Sequence, residues 1–410
     1  MRGKPKVRIS HGMRDPQAMA VFVSLFALLG CIAMFTTHAA APTASLELES
    51  GTIGSPSTKI ADSTASGGSA IQFGVKPPPP PTCTVSAQLV NSCRPWIGAA
   101  TGGYSMVTSD APSQFGFFEK RLNDPNVLNS PASSPTLTYK LDIVHTYHGV
   151  GSNSLSSTDL TYAQRANTFL LTNWKPAALW SDAAGGNSTV NGTIKQMADS
   201  IKAIAPTKIM LTVYHEPEND VSSGNCTTNA NGASAGSPTD YVNMWQNVHN
   251  IFASEGVTNV VWVMNYMGYS NWDCLVPLMW PGNSNVDWVT WDNYGSSSTL
   301  FSASIQHFYN LLTTDTDANH AFTSKIWGLS ELGYGNSGGH STQPNAIAYW
   351  NDALSAIQNN SFPRLHMYTV FDTSGNGGTS QVGLNFSGAV DTTEQAAYNV
   401  FAQAVINTGQ

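Results

Sequence analysis

Charge is what this chain has least of. Only 11% of its 410 residues are Asp, Glu, Lys or Arg, against roughly 25% in an average soluble protein. Positive charge is the scarcer kind: 18 Lys and Arg stand against 26 Asp and Glu, for a formal charge of -8. Arg2, Lys4, Lys6, Arg8 and Arg14 all precede residue 15, and no basic cluster follows them. Phosphate binding needs such clusters, so no nucleic-acid partner is expected. Cysteines are also few, five in all, with no CxxC and no Cys/His spacing of the zinc-site kind. The sequence therefore supports neither a metal site nor a cofactor.

Long apolar runs are scarce too. The one present is "AMAVFVSLFALLGCIAMF" at 18–35, with a basic segment before it and small residues near 39–41. That order describes an export signal. The run is also near the lower length limit of a membrane span, so an uncleaved anchor stays open. The protein is expected to be secreted, or held at the cell surface through residues 18–35. Export puts Cys83, Cys93, Cys226 and Cys274 in an oxidising compartment, where an even set implies two disulfides. The favoured pairings are Cys83–Cys93 and Cys226–Cys274. Proline is concentrated in one run, Pro77–Pro81, which forms a stiff extended spacer. The expected organisation is a signal peptide or anchor over 1–41, a low-complexity segment and proline linker over 42–82, and one large domain over 83–410. A monomer is expected.

Aromatics are plentiful at 10%, including 11 Trp. Together with a surface of Ser, Thr, Asn and Gly, they suit a protein that handles neutral polar ligands such as sugars. From residue 94, apolar runs alternate with helical patterns. The strand candidates are 94–101, 139–147, 167–174, 208–216, 259–266, 286–294, 325–333 and 364–372. Helical periodicity falls over 191–205, 239–254, 300–312, 344–358 and 392–407, while 267–285 reads as loop. Eight strands alternating with helices predict an α/β fold, the (β/α)₈ barrel.

In that fold chemistry sits at the C-terminal strand ends. The fourth strand runs out in "VYHEPEND", which places Glu216 at its end; the seventh runs out in "GLSELG", which places Glu331. Two carboxylates across a barrel mouth suit glycosidic cleavage. One protonates the leaving oxygen, and the other attacks the anomeric carbon or activates water. Glu218 follows Glu216 by two, but Pro217 breaks the strand, so its side chain is expected to leave the site. Trp174, Tyr266 and Trp272 lie at or just beyond strand ends and could stack on sugar rings. His145, at the end of the second strand, and Asp292 are candidates for binding sugar hydroxyls.

"LLTNWKP", "VYHEPEND", "VDWVTWDNYG" and "GLSELG", in this order over 94–407, resemble the clan A retaining glycoside hydrolases. The greatest similarity is to glycoside hydrolase family 26, in which a His-Glu pair ends strand four. The resemblance implies Glu216 as acid/base, Glu331 as nucleophile and net retention of configuration. It implies that Tyr294 hydrogen-bonds the nucleophile and that His215 shapes the subsite of the cleaved sugar. It implies endo-β-1,4-mannanase activity on a β-mannan or related polysaccharide, with xylanase and β-glucanase as family alternatives. The chain departs from the pattern at Phe371, where a Trp usually floors the sugar subsite, and at "PENDVSSGNC", where aromatics usually follow the His-Glu pair. Another glycan specificity, or a non-catalytic carbohydrate-binding wall protein, stays open.

Overall fold

The computed structural model describes residues 57–72, 83–101, 115, 116, 118, 119, 122, 140–222, 234–296, 298–335, 343–372 and 392–408. The chain divides into two units, Met1–Pro80 and Pro81–Gln410. In the first, strands β1 (Thr58–Ala61) and β2 (Ser69–Gln72) form an antiparallel pair. The sequence reading gave this segment no structure. The pairing is local: the Asp62 carboxylate accepts from the Thr64 N–H at 2.9 Å and its hydroxyl at 2.6 Å, which tightens the turn. β1 is exposed throughout, so this ribbon has no core of its own. The apolar run 18–35 and the proline run 77–81 lie outside the described residues.

In the second unit all eight expected strands are present. They are β3 (Trp96–Thr101), β4 (Ile143–His148), β5 (Phe169–Trp174), β6 (Ile209–Val213), β7 (Val260–Tyr266), β8 (Trp288–Gly295), β9 (Ile326–Tyr334) and β10 (Leu365–Asp372). They pair in parallel, in chain order, and β10 closes on β3. The fold is a closed (β/α)₈ barrel. Helices alternate with the strands because their apolar residues recur at helical spacing. Over Ser188–Lys202, for example, Ile194, Met197, Ala198 and Ile201 are buried, and the Asn187 side chain caps the first turn. The segment 267–285 contains only short helical turns.

Side-chain parity sorts the barrel into two cores. Trp96, Ile143, Leu171, Met210, Val261, Val263, Trp288 and Met367 point inward and fill the lower half, with Leu89 beneath them. Val144, Leu170, Leu211, Met264 and Val289 point outward and belong to the core that includes the helices. Burying each such side chain is worth about 1.5–3 kcal/mol. The floor is pinned by the expected Cys83–Cys93 disulfide. The indoles of Trp96 and Trp288 donate to the carbonyls of Leu89 and Gln88 at 2.6 and 2.7 Å. The lower barrel is thus packed solid, and only its upper end can hold a ligand.

Candidate active site

β6 ends at Val213, three residues before the expected boundary at Glu216. Tyr214 and Glu216 have φ of 63° and 47°, and Pro217–Asp220 form a 3₁₀ turn. Left-handed backbone at non-glycine residues costs on the order of 1–3 kcal/mol and persists only where neighbours enforce it. Here the Tyr214 hydroxyl donates to Asp220 at 2.8 Å, and Lys175 lies 4.3 Å over the Tyr214 ring and 3.3 Å from Asp220. The turn aims Glu216 into the barrel mouth.

Glu331 reaches the same mouth by a different device. Along β9, Trp327, Leu329 and Leu332 lie in the outer core, whereas Ser330 bonds to the inward-facing Asn265 and Asp292. Strict alternation would send Glu331 outward with Leu329. A register shift between Trp291↔Leu329 and Asp292↔Glu331 inserts one extra residue, so that Ser330 and Glu331 both face inward. Bulges commonly re-aim side chains at sites in this way.

The two carboxylates share one histidine. His215 Nε2 lies 2.9 Å from Glu331, 3.1 Å from Asp292 and 3.8 Å from Glu216. The facing oxygens of Glu216 and Glu331 are therefore less than about 7 Å apart, a bound fixed by the two His215 distances. Glu331 also accepts the Tyr147 hydroxyl at 2.5 Å and the Tyr294 hydroxyl at 2.6 Å. Burial alone would raise the Glu331 pKa; the positive charge and hydrogen bond of His215, with His145 and Tyr147, hold it down at about 2. Burial pushes Glu216 well above the carboxylate range, and the negative Asp292 and Glu331 add to the rise against the opposing His215 charge. Burial would lower the His215 pKa, but Glu216, Glu331 and Asp292 raise it well above its ordinary value. These directions favour a proton on Glu216 and on His215 and a negative charge on Glu331. Pairs of carboxylates driven apart in this way divide acid and base roles.

A cavity of 880 Å³ opens over this cluster. His215, Glu216, Trp272, Asp292, Tyr294, Glu331 and Phe371 line it, as expected, together with Tyr269 and His307. Three expectations are corrected. Trp174 and Tyr266 are fully buried in the outer core, where their polar atoms bond the carbonyls of Ser152 and Val276. Each ends its strand, but on the outward parity; Asn173 and Asn265 hold the inward positions. His145 faces inward yet is 1% exposed. It stacks 4.4 Å beneath Tyr147 and donates to the Ser330 carbonyl at 3.0 Å, so Tyr147 stands between it and any ligand.

Glu218 does leave the cavity lining, but it turns inward rather than to solvent. It is 1% exposed, and its two oxygens accept the Met267 N–H at 3.0 and 3.2 Å. Tyr147 was missed by the sequence reading. The signal was present in "IVHTYH", because an inward His145 makes Tyr147 inward as well. Cys274 is held in a disulfide; Cys226, its expected partner, lies outside the described residues.

His215, Asp292 and Glu331 form the one group among the described residues spaced to hold a metal ion, with ligand atoms within 4.8 Å of one another. Within it His215 bonds Glu331 at 2.9 Å and lies 3.1 Å from Asp292 Oδ2, and Tyr147 and Tyr294 bond both Glu331 oxygens.

No protein-family model and no curated protein matches the chain. Solved structures do resemble it. A Cellulomonas fimi endo-β-1,4-mannanase double mutant aligns with a TM-score of 0.49 at 14% identity, over 77% of this chain and 74% of that one. Two further solved structures that align with the chain are described as glycoside hydrolase family 26. The catalytic domain of a Bacillus sp. JAMB-750 family 26 endo-β-1,4-mannanase aligns at 0.48 and 12% identity, over 76% and 86%. The family 26 domain of a Prevotella bryantii endo-β-mannanase/endo-β-glucanase aligns at 0.46 and 14%, over 75% and 89%.

Proposed function

We propose that the chain is an exported, monomeric retaining glycoside hydrolase that cleaves a β-linked polysaccharide of the mannan type. The observation that carries this reading is the Glu216–His215–Glu331 cluster, a raised and a lowered carboxylate facing one cavity. Glu216 donates its proton to the leaving glycosidic oxygen. Glu331 attacks the anomeric carbon and forms a glycosyl ester. Glu216, now ionised, takes a proton from water as the water displaces the ester. The bound of about 7 Å on the facing oxygens suits the retaining spacing of about 5–5.5 Å and leaves little of the inverting range, about 6.5–9.5 Å. The two tyrosine hydroxyls and His215 hold Glu331 in one orientation and keep it ionised. The resemblance of the sequence motifs to family 26 favours mannan over glucan or xylan.

The test is reducing-sugar release by the full chain from mannan, glucomannan, xylan, β-1,3-glucan and mixed-linkage glucan, beside Glu331→Ala. Release from mannan or glucomannan that the substitution abolishes supports the reading. Release from another polymer alone moves the specificity while keeping the chemistry. No release from any polymer by folded protein favours a non-catalytic carbohydrate-binding protein.

A further inference from the structure

The mechanism leaves one wall of the cavity without a role: the segment from Met267 to Trp272, with His307 and Ser304 beside it. Tyr269 on this wall is 56% exposed, and it is the one aromatic among the large exposed hydrophobic side chains of the described residues. Its ring lies 5.4 Å from Trp272, which is 8% exposed and lines the same cavity. An exposed aromatic facing a cavity is a platform awaiting an apolar face.

The wall is fixed at several points. Met267 N–H is held by the Glu218 carboxyl, two residues from the acid/base. Gly268 has φ of +72° and packs so tightly on Trp291 that a Cβ there would lie 2.8 Å from Cδ1 of that indole. Trp272 N–H donates to the Tyr269 carbonyl at 2.9 Å. Asp273 pairs with His307 at 2.8 Å, joining the segment to the helix Phe301–Thr314. A rigid platform loses little entropy when it binds.

The chemistry of the wall narrows the ligand. Asn293, Ser296, Ser304 and Thr299 line the same cavity and carry hydrogen-bonding groups. No Lys or Arg lines the cavity among the described residues. The cavity's two histidines already face carboxylates, and the negative Glu331 and Asp292 would repel an anion. We propose that Tyr269, backed by Trp272, is the stacking platform of a further subsite, and that it takes a neutral pyranose unit of the polysaccharide beside the unit being cleaved. The proposal rests on the glycosidase reading and deepens it: such a subsite calls for an oligomeric, uncharged substrate.

The test is calorimetric titration of full-chain Glu331→Gln with hexasaccharides of β-1,4-linked mannose, glucose, xylose and mannuronate. The variant binds without turnover. At least one neutral hexamer should bind and mannuronate should not. Adding Tyr269→Ala should weaken the neutral hexamer about tenfold, while Tyr269→Phe, which keeps the ring, stays within about twofold. Equal affinity with and without the Tyr269 ring overturns the subsite and leaves the glycosidase reading standing. Mannuronate binding as tight as that of the neutral hexamers overturns the neutral class. Binding of no hexamer overturns the proposal as well; polymer release by the wild-type chain then shows whether the glycosidase reading falls with it.

Discussion

Replacing Glu218 with Gln gives the sharpest physical test, because the effect has a sign, a size and a pH window. Burial raises the Glu218 carboxyl from 4.5 to about 8, against the pull of backbone N–H groups including that of Met267; Glu216 adds to the rise and His215 opposes it. The folded chain therefore keeps a proton that the unfolded chain loses near pH 4.5. Stability should fall as pH rises between those two values, by about 1.4 kcal/mol per pH unit. The side chain is 1% exposed, so solvent does not screen the cost. A Gln keeps an oxygen for the Met267 N–H and cannot ionise. Wild type and Glu218→Gln should have nearly equal stability near pH 4.5. Wild type should then lose about 3 kcal/mol relative to the variant between pH 5 and pH 7, and about 4–5 kcal/mol by pH 9. Urea unfolding midpoints of both proteins at pH 5, 6, 7, 8 and 9, at equal m-values, measure the gap. A gap that does not change with pH, or one that grows toward acid, refutes the reasoning.

Three other outcomes are expected. Tyr147→Phe removes a 2.5 Å bond to Glu331 and should lower kcat/KM about ten- to a hundredfold, since hydrogen bonds to charged groups are worth about 1.5–3 kcal/mol; a change under twofold on the polymer that gives release counts against its role. The pH profile of kcat/KM should fall on the alkaline side as Glu216 loses its proton. Its acid limb should lie well below 4.5, because Glu331 is held at about 2; an acid limb at 4.5 or above counts against Glu331 as the ionised partner. Asp159 accepts from His148 at 2.6 Å and from Thr146 at 2.6 Å in the outer core. Asp159→Ala leaves those donors unpaired and should therefore cost about 1–3 kcal/mol by chemical unfolding, and no measurable loss would remove that pair from the barrel's support.

The eight strands and the two key carboxylates were legible in the sequence, for a physical reason. A parallel strand covered on both faces is apolar along most of its length. Eight such runs therefore stand out, and so do charges at their ends. Facing direction was not legible to the same degree. Trp174 and Tyr266 end their strands just as Glu216 nearly does, yet they point into the helical layer. A continuous apolar run carries no alternation to reveal its parity, and only the register between strands sets it. The same limit hid the fate of Glu218, which folds inward because Tyr214 and Glu216 adopt left-handed backbone before Pro217.

Strand identity, order and the carboxylate pair were thus determined by the sequence itself, through hydrophobicity and charge along the chain. The tertiary structure decided which residues meet. The extra residue at Ser330 turns Glu331 from the outer face to the cavity, Tyr147 reaches it from β4 across the barrel, and Met267 closes on Glu218 from the neighbouring strand's loop. Each of these depends on a bulge, a turn or a closed ring of strands, and such features exist only once distant segments have paired.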